Sequence, residues 1–142
     1  MRLILLSALL VPLASCGSDQ QVPGNDLPNL ATMSETPGDW SDLNLMVGRN
    51  PAESGLLVDS PVIVDVDATL GPDAADFRHH MGDSTPLTKE GRLLVTRARS
   101  GQAWLVLQPA DHAFRAGMRK DGRWRQWQTA GADVPIPPDL PR

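Results

Sequence analysis

Asp65 and Asp67 stand two positions apart at the end of Pro61-Val62-Ile63-Val64-Asp65-Val66-Asp67-Ala68-Thr69, an apolar run that reads as a strand. On a strand, side chains two positions apart project to the same side, which leaves room for a divalent cation between the two carboxylates and a phosphate. The other chemistry-bearing residues are few. His79 and His80 are adjacent, so on a helix they point about 100° apart and do not converge on one metal ion. Asp76 and His80 lie four apart but have no third ligand, and no metal site is expected there. Cys16 is the single cysteine, which excludes an intramolecular disulfide as a staple for the fold.

The Asp65-x-Asp67-x-Thr69 pattern resembles the first motif of haloacid-dehalogenase-like phosphatases. The resemblance implies that Asp65 is the nucleophile accepting phosphate, that Asp67 is the general acid and base, and that both help hold Mg2+. Leu93-Leu94-Val95-Thr96 stands where a second motif would end a strand in a phosphate-binding hydroxyl. The pattern stops there. Ala68 replaces the family's glycine, Lys89 and Lys120 sit in no matching third motif, and no acidic pair follows Trp104-Leu105-Val106-Leu107. The favoured reading is therefore non-catalytic and cofactor-free. Asp65 and Asp67 occupy the polar face of a strand whose Val62, Val64 and Val66 face the core, and the phosphatase with Mg2+ is the alternative.

The elements around this run suggest one small α+β domain, mainly antiparallel sheet with one short helix. Trp40, Leu43, Leu45 and Val47 suggest an entering strand over 39–47, followed by a loop over 48–55. Pro72 and Asp73 suit a helix start, Phe77 and Met81 share a face, and Gly82 ends it. A loop follows over 83–90. Arg92 to Arg99 and Gln102 to Gln108 read as a hairpin with Ser100-Gly101 as a two-residue turn. That register places Leu94 opposite Leu107, Thr96 opposite Leu105 and Ala98 opposite Ala103 on the core face. Val95 opposite Val106 and Arg97 opposite Trp104 fall on the other. Asp121-Gly122 marks a second hairpin, with Phe114, Ala116, Met118 and Trp127 on one face, Arg119 opposite Trp124 and Arg115 opposite Gln128. Residues 111–119 also fit a short helix, since Phe114 and Met118 are four apart. The domain spans 39–131, and a proline-rich tail follows over 132–142.

Ahead of the domain, Arg2 and the apolar run Leu3 to Leu13 have the form of a signal segment. Leu13-Ala14-Ser15-Cys16 resembles the lipobox of bacterial lipoproteins. This implies cleavage after Ser15, diacylation of Cys16 with palmitate-type chains, and a new amino terminus open to a third acyl chain. Two or more acyl chains hold a protein stably on a membrane, where one does so only marginally. By the sorting pattern of such lipoproteins, Gly17 points to the outer membrane, facing the periplasm. Residues 17–38 carry Pro23, Gly24, Pro28, Pro37 and Gly38 without periodicity and read as a flexible tether.

Charge divides the chain. From Cys16 to Phe77 there are eleven acidic side chains against Arg49 alone, and from Arg78 onward eleven basic against six acidic. The halves either pair within the fold or leave the basic half facing an anionic partner. The two hairpins bring Arg97, Trp104, Arg115, Arg119 and Trp124 together as a candidate binding surface, with Arg99 and Arg125 nearby. For a lipid-anchored envelope protein the fitting partners are an anionic envelope component or an acidic protein, and nucleic acid is not expected. The function indicated is a non-enzymatic envelope lipoprotein acting as a structural or binding accessory.

Overall fold

Five strands follow one another as an antiparallel meander in the order β1 (Thr88–Glu90), β2 (Leu93–Arg97), β3 (Ala103–Gln108), β4 (Ala113–Lys120) and β5 (Arg123–Gln128). The computed structural model describes residues 39–142. The expected signal segment, Cys16 and the expected tether over 17–38 lie outside the described residues. Helices α1 (Pro61–Leu70) and α2 (Ala74–Met81), separated by a 3-10 turn over Gly71–Asp73, complete the α+β layout.

Both predicted hairpins form in the predicted registers. Leu94 pairs with Leu107, Val95 with Val106, Thr96 with Leu105 and Arg97 with Trp104. In the second hairpin Arg115 pairs with Gln128, Ala116 with Trp127 and Arg119 with Trp124. Asp121 and Gly122 both take positive φ, 53° and 77°, as a tight type I′ turn requires. The strand alternative for 111–119 thus prevails over the helix. The first hairpin keeps its register but not its turn. Ala98 N–H donates to Ala103 O, Gly101 N–H donates back to Ala98 O, and Arg99 N–H is drawn away to Asp83 O. Residues 99–102 therefore form a four-residue loop, in which Gly101 alone is left-handed at φ 69°.

Three expected elements are corrected. Trp40–Met46 is a 3-10 helix and not a strand, capped by the Asp39 carboxylate accepting from Ser41 N–H at 2.8 Å. Trp40 and Leu43, three apart, turn inward, and Leu45 is left exposed. The loop expected over 83–90 ends early, because Thr88 to Glu90 pair with Leu93 to Val95 as β1. The third correction bears on chemistry: 61–70 is helix α1. Pro61 at its first position is compatible with a helix start, and Gly71 at φ 55° stops it. Val62, Ile63, Val66 and Leu70 are buried on one helical face, while Val64 is 68% exposed. Burial thus follows a helical and not an alternating period.

The core lies between these helices and one face of the sheet. Val62, Val66, Phe77 and Met81 meet Leu94, Leu105, Leu107, Phe114, Ala116 and Met118, with Trp40 and Leu43 closing one side. The opposite face is also covered. Val134 and Leu140 are buried on Leu93, Val95, Trp104, Val106 and Ala113, with Ala132 and Ile136 packed alongside. The proline-rich segment 132–142 lies over this face rather than along an edge. It needs no ladder hydrogen bonds to do so, which suits its missing N–H groups.

Candidate functional site

Placing the Asp-x-Asp run on a helix removes the geometry that phosphoryl transfer would need. Residues two apart on a helix point about 160° away from each other. Asp65 is exposed on α1, and Asp67 pairs with Arg78 of α2 at 3.0 Å. The two carboxylates do not face one site, so they do not fit the Mg2+ that the resemblance implied. Thr96, offered as the second motif's hydroxyl, is buried and donates to Thr85 O at 2.7 Å. Among the described residues, no three His, Cys, Asp or Glu side chains converge as metal ligands.

The acidic and basic halves meet across the helix–sheet interface. Asp73, at the turn between the helices, is largely buried and pairs with Lys120 of β4 and, at 3.5 Å, with Arg125 of β5. Asp76 reaches the same Lys120 at 3.2 Å. The hydrogen bond from Lys120 holds the Asp73 carboxyl below its ordinary range against the opposing effect of desolvation. Asp73 and Asp76 in turn raise the Lys120 ammonium. Internal pairing therefore accounts for part of the charge asymmetry, and it fastens the helical layer to the second hairpin.

The five residues expected to share a binding surface have different fates. Trp104 is 1% exposed and lies in the second core cluster, so it is a packing residue and no part of a surface. Its indole lies against Gly117, the strand position directly opposite. Arg97 is turned to the tail, where it pairs with Asp139 at 2.7 Å and holds that carboxyl below its ordinary range. Half-buried Arg115 donates to Val134 O at 3.2 Å and to Gln126 Oε1 at 3.0 Å. Arg97 and Arg115 thus fasten the tail. Arg119 remains exposed, and half-buried Trp124 pairs with it across the hairpin and packs on the edge of the second cluster.

What remains accessible is the outer end of the second hairpin. Arg119 and Trp124 lie on the tail side, and an open cleft of about 420 Å³ is lined there by Arg115, Gln126, Ile136 and Arg142. On the helix side, Arg123 and Arg125 flank the last strand. Arg119 and Arg123 make no ion pair among the described residues. Gln126, Arg123 and Arg142 were missed as site residues by the sequence reading. The available signal was the alternation in Arg123-Trp124-Arg125-Gln126-Trp127-Gln128, which marks a strand with neither face fully buried.

No family model, curated protein or solved structure matches this chain.

Proposed function

We propose that this is a lipid-anchored envelope protein whose folded domain is a non-enzymatic binding accessory for an anionic component. The anchor rests on Leu13-Ala14-Ser15-Cys16, with lipidation at Cys16 and placement on the outer membrane facing the periplasm. The binding role rests on one observation. The outer end of the β4–β5 hairpin carries Arg119 and Arg123 exposed without carboxylate partners among the described residues, next to half-buried Trp124 and the Arg115–Arg142 cleft. An arginine beside an indole offers charge and a flat apolar surface to the same ligand.

The test has two parts. Cys16→Ser should move the full chain from the membrane fraction to the soluble periplasmic fraction with its domain folded; retention on the membrane would remove the anchor. Binding of full chain in detergent to phosphatidylglycerol vesicles and to poly-glutamate is then measured with and without joint Arg119→Ser, Arg123→Ser and Arg142→Ser replacement. Salt-dependent binding to at least one probe that weakens in the variant supports the role, and no binding to either probe would sink it.

A further inference from the structure

The β4–β5 ladder fixes which way the backbone of the last strand points. Thr129 N–H donates to Phe114 O at 3.0 Å, and the register runs from Arg115–Gln128 to Lys120–Arg123. In an antiparallel pair, hydrogen-bonded and non-hydrogen-bonded positions alternate. Arg123, Arg125 and Trp127 therefore spend their N–H and C=O groups on β4, and Trp124, Gln126 and Gln128 turn theirs outward. Nothing among the described residues bonds to these outward groups. They form a row of three donors and three acceptors repeating about every 6.8 Å, on a six-residue strand that closes the sheet. The other edge, β1, is three residues long.

An open edge of this length pairs with other chains unless something prevents it. Its charges select the partner. Arg123 and Arg125 flank the edge on its helix side. Joining two copies edge to edge would bring together two Arg123 guanidinium groups that have no carboxylate partner among the described residues, with the Asp73-paired Arg125 of each copy beside them, which disfavours self-association. A strand carrying carboxylates at alternate positions would instead set them beside Arg123, which has no carboxylate partner among the described residues, and beside Arg125, which stays exposed despite its 3.5 Å contact with Asp73, with its intervening side chains on the Trp124 side.

We infer that the free edge of β5 is a strand-addition site for an extended acidic peptide segment of a partner protein. This rests on the binding role proposed above and names its partner. Main-chain hydrogen bonds to Trp124, Gln126 and Gln128 supply the pairing, and the two arginines set the register. The added strand runs antiparallel to β5, so its residues that bond to β5 share the Trp124 side with their partners and its acidic residues carry amides that point away.

The probe is the peptide acetyl-Thr-Glu-Val-Glu-Val-Glu-Thr-amide, titrated into full chain in detergent and followed by tryptophan fluorescence. N-methylation of its two valines should weaken binding about tenfold or more, because bonds to β5 are lost at unchanged charge. N-methylation of its glutamates should leave binding nearly intact. In the protein, Gln126→Pro deletes the central outward donor without taking a bond from β4, a position where an edge strand tolerates proline. Gln126→Ala keeps that donor and removes only the side chain. Weaker binding by the proline variant than by the alanine variant supports the inference, and the methylated peptides carry the test even if the proline variant does not fold. Equal binding of both methylated peptides would overturn strand addition and leave anionic binding standing. Binding to phosphatidylglycerol vesicles without binding to the peptide would overturn it in favour of a lipid surface.

Discussion

Gly117 of β4 sits beneath the indole of Trp104, its partner across the β3–β4 ladder. A Cβ built on Gly117 would clash with the indole, overlapping Cε2 and Cζ2 and lying 2.6 Å from Nε1. The missing side chain lets the largest residue of the tail-side cluster lie flat on its own sheet, where Val134 and Leu140 seal it. Gly117→Ala should therefore destabilise the domain by about 1–3 kcal/mol through overpacking. Trp104→Leu should remove most of that penalty, so urea melts of the two single variants and the double should show coupling of about 1 kcal/mol or more. Additive effects would mean that the indole has room to move.

The covering segment is a second test of the same cluster. Leu140 is 5% exposed and Val134 fully buried, so residues 132–142 contribute packing and are more than a trailing end. Leu140→Ala should cost about 2 kcal/mol. Deleting 132–142 uncovers Val95, Trp104 and Val106 together; tryptophan emission should shift to longer wavelength and a hydrophobic dye should bind. Unchanged emission would show that the tail rests on the face without sealing it.

The antiparallel hairpins were legible because alternation and turn chemistry agree there: Asp121-Gly122 supplies both positive φ values, and one inward set runs through Phe114, Ala116 and Met118. The first turn was misread because Gln102 O accepts from Arg119 N–H and so cannot close a pair with Arg99, whose N–H points outward to Asp83 O; no local pattern reveals either contact. The tail's role was hidden for a similar reason. Trp104, Val95 and Val106 look like the apolar share of a solvent face until Val134 and Leu140, some 30 to 45 positions later, are seen to cover them. The candidate surface accordingly kept Arg119 and Trp124 but lost Trp104 to packing and Arg97 to Asp139.

The run over 61–70 failed for a different reason. Val62, Val64 and Val66 satisfy a period of two, whereas Val62, Ile63, Val66 and Leu70 satisfy a helical period, and β-branched residues tilt the choice toward strand. The proline at the start and the glycine at the end carried the deciding signal. Substitution separates the two arrangements: exposed Val64→Asp should change stability by less than about 0.5 kcal/mol. Val66→Asp buries a carboxyl with no partner in the core and should cost several kcal/mol or abolish folding. A strand with Val64 inward would make both changes severe.

Acid and base should act on the Asp73–Lys120 pair from opposite sides. The Asp73 carboxyl is held below its ordinary value of 3.8, so its contribution to stability is complete above that pH and is lost as pH falls through the lower folded value. Asp39, held down by Ser41 N–H, and Asp139, held down by Arg97, lose theirs in the same direction. The Lys120 ammonium is raised above 10.5. Its contribution is therefore complete below that pH and disappears as pH rises through the higher folded value. Urea midpoints should form a plateau between these limits and decline at both ends. Asp73→Asn should lower the plateau, because Lys120 and Arg125 lose a carboxylate at the helix–sheet junction, and should also flatten both limbs. A variant whose acid limb keeps its full slope would place acid sensitivity elsewhere in the domain.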